Sequence, residues 1–182
     1  MRHLFIIIFT LSLLCPSTFV QAEEMLLSSV QGQAKDIQPT NLKANLVVVE
    51  KAARRLTLFD GRRPIKTYKI ALGKSPIGAK YKQGDRRTPE GFYTIDSRDP
   101  ESRFHRSLHI SYPNEKDIEI AGLLRVPAGS GILIHGVTKD YEWMGRYHAS
   151  LNWTNGCIAV TNEEIEEIWE LVPDGTEVQI KP

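Results

Sequence analysis

Two short apolar runs, each adjacent to a reactive side chain, limit the possible folds of this chain more than any other feature. The first run ends at His135, and the second begins just after Cys157, 22 residues further along the chain. Short apolar runs bounded by glycine are typical of buried strands. Strands hold the side chains at their ends rigidly, and an imidazole that removes a thiol proton makes the sulfur a strong nucleophile. The pattern therefore predicts a thiol–imidazole pair presented by two strands.

Residues 1–22 have the organisation of a secretory signal peptide. A short basic start precedes an apolar run over residues 4–14, and Val20 and Ala22 supply the small residues of a cleavage site. The run is too short to span a bilayer as a helix. Cys15 follows it, but Leu14 is large where a lipid-modification site has a small residue. We therefore expect export to the periplasm or cell envelope without a lipid anchor.

Removal of the signal peptide would leave Cys157 as the single cysteine. Cysteines of exported proteins usually pair, so an unpaired one is either buried and inert or retained for its reactivity. The small and apolar residues after Cys157 suit the buried alternative. Gly156 before it and the His135–Gly136 pair upstream favour the reactive one. For a reactive pair we expect His135 to lower the pKa of the thiol.

Composition gives no sign of a polyanionic partner. The chain has 23 basic and 22 acidic residues, and loss of Arg2 with the signal peptide makes them equal. Without a basic stripe, nucleic acid is not an expected ligand. Residues 23–43 are rich in Ser, Gln, Ala and Asn and predict a tether, whereas residues 44–182 suffice for one domain with its own core. We expect this domain to be a monomer.

The domain is predicted to be mostly β. A β-branched run begins at Leu46, and an alternating run over residues 55–59 meets Asp60-Gly61, a strong hairpin signal. Further strands are predicted at residues 92–95, 103–111 and 176–180. A short helix is predicted within residues 114–122. Thr161 and Glu164 form a capping-box pattern before a second helix with apolar residues at helical spacing.

His105 and His109 raise the question of a metal site, because they share one face of a strand. A zinc site needs three or four ligands, and the residues nearby complete no recognisable set. The sequence therefore favours surface or cleft histidines and predicts neither a metal nor a cofactor.

Taken in order, the motifs of residues 45–180 resemble those of the YkuD-type L,D-transpeptidases of the bacterial cell wall. After an opening strand pair the motifs are Ala71-Leu72-Gly73, Gly84-Asp85-Arg86-Arg87-Thr88-Pro89-Glu90-Gly91, Ile134-His135-Gly136 and Thr154-Asn155-Gly156-Cys157-Ile158. Each motif is weak alone, but their order in a chain with an export signal and one mature cysteine is specific.

This resemblance implies a β-sandwich with one or two short helices and a long loop between the histidine and the cysteine. Members of the family cleave the L,D bond after the meso-diaminopimelate of a peptidoglycan tetrapeptide stem, release D-alanine and pass the acyl group to an amine. The amine belongs to a neighbouring stem or, in some members, to an outer-membrane lipoprotein. Water in its place would give an L,D-carboxypeptidase or a hydrolase that detaches lipoprotein.

The resemblance also assigns roles to residues. Cys157 would form a thioester, and His135 would take its proton and later activate the amine. The carbonyl of Gly136 would hold the imidazole. Orienting and oxyanion-hole candidates are Thr154 and the backbone N–H groups of Asn155, Gly156 and Cys157.

Two residues depart from the commonest family motif: Asn155 stands where a second histidine is usual, and Ala159 where Arg or Asn is frequent. His148 could supply the missing imidazole or could simply face water. Trp143, Tyr147 and Trp153 are predicted to form walls of the cleft, with plain packing as the alternative for Trp153.

Two other classes of protein remain as alternatives. A sortase-like enzyme would need an arginine shortly after Cys157, and the sequence has none there. A non-catalytic cell-wall binding domain would have an inert thiol at Cys157.

Overall fold

The structure is a computed structural model that describes residues 42–182. The predicted signal peptide and nearly all of the predicted tether lie outside these residues. Within them the chain forms ten strands: β1 (Leu46–Glu50), β2 (Arg55–Asp60), β3 (Arg63–Lys69), β4 (Leu72–Gly73), β5 (Gly91–Asp99), β6 (Ser107–Ile110), β7 (Ile132–His135), β8 (Asn152–Thr154), β9 (Ile158–Ala159) and β10 (Glu177–Lys181). The helices are α1 (Glu115–Leu123) and α2 (Asn162–Leu171), and Lys139–Ser150 forms two 3₁₀ helices separated by a kink at Gly145. In this described part, no helix has the length and apolarity to cross a membrane.

Eight of the strands form one sheet, in the order β3-β2-β1-β10-β5-β6-β7-β9, and β4 pairs with β8 separately. The long strand β5 joins the two halves of this sheet. Its first residues pair with β10 and its last with β6, and the register shifts between Ile95 and Ser97. Such irregularities bend a strand. The mostly β fold predicted from the sequence is confirmed.

One hydrophobic core lies between the two halves of the sheet. It takes Val47, Leu56 and Leu58 from β1 and β2, and Leu108, Ile110, Ile134 and Ile158 from β6, β7 and β9. Helix α2 adds Ile165 and Ile168, both fully buried. Because strands from both halves bury their side chains together, the ends of β7 and β9 are fixed relative to the rest of the domain.

Three local predictions are confirmed. The Asp60-Gly61 turn joins β2 to β3, with Gly61 in the left-handed region at φ +59°. Helix α1 starts after Asn114, whose side chain caps it. Helix α2 has the predicted capping box: the Glu164 N–H donates to Thr161 Oγ1 at 3.2 Å, and the Thr161 N–H donates to the Glu164 carboxylate at 3.0 Å.

The strand predicted over residues 103–111 is wrong in its first part. Only Ser107–Ile110 forms a strand, because the preceding residues turn through His105 at φ +75°, a conformation that no strand accommodates. The alternation of apolar residues did not show this turn. It matters for function, since the turn brings Phe104 against His135.

Candidate active site

Strands β7 and β9 set the placement of the predicted pair. They run parallel, with Ile134 beside Ile158 and His135 beside Ala159. Paired side chains of neighbouring strands share a face, and successive residues alternate. Ile134 and Ile158 both point into the core, so His135 after one and Cys157 before the other lie on the opposite face. The core packing of two isoleucines thus brings the imidazole and the thiol to the same side.

His135 is held from several directions and is 1% exposed. Its Nδ1 lies 2.5 Å from the carbonyl oxygen of Gly136. The Phe104 ring stacks on the imidazole at 4.2 Å between centroids, and Trp153 presents an edge at 5.9 Å. A side chain at Gly136 would come within 2.8 Å of the Phe104 carbonyl oxygen, so only glycine fits beside the histidine.

These contacts define the protonation state of His135. A carbonyl oxygen only accepts hydrogen bonds, so Nδ1 carries the proton and Nε2 is left with a free lone pair. Burial lowers the pKa of His135 to about 4, against the opposing effect of the Gly136 carbonyl. At neutral pH the residue is therefore an uncharged imidazole, the form that can accept a proton.

The turn that carries Cys157 is braced by Thr154. Its hydroxyl donates to the Cys157 carbonyl oxygen at 2.7 Å and accepts from the Gly156 N–H at 3.1 Å. Gly156 has φ +127°, and a Cβ there would approach the Arg87 carbonyl oxygen to 2.7 Å. The turn thus requires glycine at position 156 for both its conformation and its space.

This bracing corrects one part of the predicted oxyanion hole. The Gly156 N–H is already bonded to Thr154, so it does not point freely at a substrate oxygen. The amides of Asn155 and Cys157 remain as candidates. Sequence reasoning could not separate the three amides because the hydrogen bond depends on the fold of the turn.

The thiol of Cys157 is half-buried, with Sγ 3.6 Å from the carbonyl oxygen of Gly131. Burial raises the pKa of Cys157, although the backbone N–H of Leu133 and the charge of Arg103 act in the opposite direction. The expectation that His135 lowers the thiol pKa is therefore wrong for the resting site. Two neutral groups face the cavity, and the proton must move when the sulfur reacts.

Both groups open into a cavity of about 720 Å³. Thr154, Asn155 and Trp153 line it from the cysteine side, and Gly131 and Leu133 from β7 and the turn before it. Lys80, Arg86 and Arg103 contribute basic side chains to its wall. The cavity therefore places a thiol, an uncharged imidazole and candidate amide donors around one space, an arrangement that suits acyl transfer.

Three further predicted site residues lie elsewhere. Trp143 and Tyr147 are 81% and 68% exposed and do not line the cavity. His148 is 1% exposed and lies against Trp153, with ring centroids 6.4 Å apart. Its imidazole neither faces water nor lines the cavity. The side chains of this segment follow its 3₁₀ turns, which the sequence did not reveal.

The structure adds residues that sequence reasoning did not select. Phe104 and Arg103 reach the site from the turn before β6, and Arg86 reaches it from the loop after β4. The sequence pattern places Phe104 in a strand, and the two arginines have no characteristic spacing relative to Cys157. The one sequence signal for Arg86 was its place in the Gly84–Gly91 motif, which resembles a motif of the L,D-transpeptidases.

His105 and His109 do not act together. His105 Nε2 lies 2.6 Å from a Glu166 oxygen of α2, and His109 Nδ1 lies 2.6 Å from an Asp96 oxygen of β5. Among residues 42–182, no three histidine, cysteine or acidic side chains gather as metal ligands do.

A family model of the YkuD L,D-transpeptidase catalytic domain matches residues 44–180, and the chain belongs to this family. The chain is 32% identical over 108 residues to YafK of Escherichia coli (strain K12), whose name assigns it to the L,D-transpeptidases. That match covers 58% of this chain and 36% of YafK. The chain thus spans about a third of the length of this curated relative.

Solved structures share the fold. The helical cell shape determining protein Pgp2 from Campylobacter jejuni superposes with a TM-score of 0.58 at 25% identity, over 77% of this chain and 47% of that one. An L,D-transpeptidase from Xylanimonas cellulosilytica gives a TM-score of 0.51 at 15% identity, over 86% of this chain and 69% of that one. The domain therefore has the β-sandwich fold of L,D-transpeptidases.

Proposed function

We propose that this chain is a peptidoglycan L,D-transpeptidase that transfers the acyl group of a tetrapeptide stem, through Cys157, from D-alanine to an amine. The observation that carries the proposal is that Cys157 and a neutral His135, oriented by the Gly136 carbonyl, line the same cavity. Membership of the L,D-transpeptidase family supports the same reaction.

Acylation begins from two uncharged groups. Cys157 Sγ attacks the carbonyl carbon of the meso-diaminopimelate residue while His135 Nε2 takes the thiol proton. The amides of Asn155 and Cys157 would stabilise the oxyanion that forms, a contribution worth about a hundredfold in rate per donor. Collapse of the intermediate breaks the C–N bond. The imidazolium returns its proton to the leaving nitrogen, and D-alanine departs from a thioester.

Deacylation repeats the sequence with an amine. His135, neutral again, takes a proton from the incoming amine as its nitrogen attacks the thioester carbon. The C–S bond breaks, the sulfur regains the proton, and a new amide links donor and acceptor. The burial that lowers the pKa of His135 suits this cycle, because the imidazole returns to its base form after each step.

We propose that the chain acts in the periplasm or cell envelope, where stem peptides are found. The predicted signal peptide and the family membership support this location. Pgp2 is described as determining helical cell shape, and a related role in shaping the cell wall is the biological extension of the proposal. A lipoprotein lysine is an alternative acceptor, and it presents the same primary amine to the thioester.

The test is release of D-alanine from a defined tetrapeptide stem, followed by mass analysis of the products. The wild-type protein should release D-alanine and form a cross-linked product with an added amine, and Cys157→Ala should do neither. Release without a cross-linked product would identify a carboxypeptidase. A folded wild-type protein that binds the stem without releasing D-alanine would identify a binding domain.

A further inference from the structure

The cavity at Cys157 is positively charged. Its wall contains Lys80, Arg86 and Arg103, and none of its lining residues is acidic. Lys80 is neutralised by Asp85, whose carboxylate lies 2.8 Å from its Nζ with both side chains nearly buried. Within residues 42–182, neither arginine lies within salt-bridge distance of a carboxylate. Two guanidinium groups without a carboxylate partner thus line the cavity that contains Cys157 and His135.

The loop that presents Arg86 is built around Asp85. The Asp85 carboxylate accepts the backbone N–H groups of Tyr81, Lys82 and Arg87 at 2.9 to 3.1 Å. Burial alone would raise the pKa of Asp85, but these bonds and Lys80 hold it below its ordinary value. The carboxylate therefore stays charged and keeps the loop fixed.

This loop separates two adjacent arginines. Arg86 has φ +57°, an uncommon conformation for a residue with a side chain, and lines the cavity. Arg87 instead packs over the Tyr81 ring, with its guanidinium carbon 5.4 Å from the centroid, and does not line the cavity. A strained backbone that directs one charge to a site is typical of a functional position.

Arg103 reaches the cavity from the turn before β6. Its guanidinium carbon lies 4.6 Å from the centroid of the Phe104 ring, which itself stacks on His135. Burial raises the pKa of Cys157 and lowers that of His135, and the positive charge of Arg103 acts to lower both. The guanidinium is therefore close enough to the catalytic pair to act on a group bound there.

We propose that Arg86 and Arg103 bind the free carboxylate of the residue that leaves, so that the cavity selects donors with an anionic end next to the scissile amide. This inference rests on the proposed function and specifies how its donor is recognised. Guanidinium groups bind carboxylates through paired, charge-assisted hydrogen bonds. A donor that ends in a neutral amide would lose these bonds and leave the arginines unpaired.

The first experiment compares two donors that differ in one group. A tetrapeptide with a terminal D-alanine carboxylate and the same peptide with a terminal carboxamide are tested for acylation of Cys157. The wild-type kcat/KM should favour the acid by about tenfold to a hundredfold, the usual range for a hydrogen bond to a charged group. Arg86→Gln and Arg103→Gln should each reduce this preference about tenfold or more.

Arg87→Gln is the matched control, since it removes the same charge from the neighbouring position that faces away. Its preference for the acid should equal that of the wild type. Equal rates for both donors in the wild-type protein would overturn the proposal. So would an acid preference that the Arg86 and Arg103 variants retain.

A second experiment is independent of the transfer reaction. Cys157 is alkylated by anionic iodoacetate and by neutral iodoacetamide, and the ratio of the two rates reports the charge of the cavity. Arg86→Gln and Arg103→Gln should each lower this ratio about threefold or more, and Arg87→Gln should not. If no donor releases D-alanine, the proposed function fails while this ratio still decides whether the cavity binds anions. An unchanged ratio in both variants would overturn the inference alone.

Discussion

The Gly136 carbonyl oxygen lies 2.5 Å from Nδ1 of His135, and this contact fixes which ring nitrogen can accept a proton. The donor must be Nδ1, so Nε2 is the basic atom. A backbone carbonyl thus fixes the orientation and tautomer of this imidazole, as a carboxylate does in many triads. It orients the ring without adding a negative charge, and its hydrogen bond offsets only part of the burial that lowers the pKa of His135.

The first prediction concerns the pH dependence of acylation. The base form of His135 is needed, and its pKa of about 4 places the loss of that form well below neutrality. As pH falls, kcat/KM for release of D-alanine should stay level to about pH 5 and then decline towards pH 4. An acidic midpoint near 6.5, the ordinary histidine value, would show that the imidazole is not buried in the protein in solution.

The second prediction concerns the resting thiol. Because burial raises the pKa of Cys157, its alkylation by iodoacetamide should show a midpoint above the ordinary cysteine value. At pH 8 the thiol should react more slowly in the folded than in the denatured protein. Mass analysis of the peptide that contains Cys157 separates it from Cys15. A midpoint below the ordinary value would restore a thiolate–imidazolium pair.

The third prediction concerns the brace at the cysteine turn. Thr154→Val keeps the shape of the buried side chain but leaves the Gly156 N–H and the Cys157 carbonyl without their partner. We expect a loss of about 1 to 3 kcal/mol in the free energy of unfolding and a fall of about tenfold or more in kcat.

Thr57→Val is its control. Thr57 is similarly buried, but its hydroxyl pairs with Thr67 at 3.1 Å, on strands remote from the cysteine. The Thr57→Val variant should have a lower free energy of unfolding and the same kcat as the wild type. Thr154→Ser retains the hydroxyl and should recover most of the lost activity. Equal kcat values for Thr154→Val and the wild type would show that the Thr154 hydrogen bonds do not support activity.

The fourth prediction concerns His148. Both of its ring nitrogens are buried without a hydrogen-bond partner in the described part of the chain, and burial lowers its pKa. An apolar replacement should remove this cost, so His148→Leu should raise the free energy of unfolding by about 1 to 2 kcal/mol. Denaturant unfolding measures this change. Activity should stay within a few-fold of wild type, and a hundredfold loss would mean that the imidazole takes part in catalysis.

The parts of the site that the sequence predicted are those that depend on local pattern. Apolar runs with one polar residue at the end mark β7 and β9, and parallel pairing then brings His135 and Cys157 to one face. The capping box at Thr161 was visible for the same reason. Phe104 escaped prediction because its contact with His135 depends on a turn at His105 and on long-range packing. The pKa of the thiol could not be predicted either, since it depends on burial rather than on the neighbouring residues in sequence.

The last prediction concerns the class of reaction. The resemblance to L,D-transpeptidases implies that a carbapenem, whose strained carbonyl stands in for the scissile one, acylates Cys157 and leaves a thioester that hydrolyses slowly. Intact-mass measurement of the full chain should show one drug-sized adduct. Cys157→Ala keeps Cys15 and should show none, so the variant controls for reaction at the other cysteine. A tetrapeptide stem should slow the labelling, because the 720 Å³ cavity that contains Cys157 is the shared binding space.

Two other outcomes would contradict this prediction. A folded wild-type protein that takes no label would favour a binding domain with an inert thiol. Labelling without release of D-alanine from any stem would instead indicate a hydrolase for another bond.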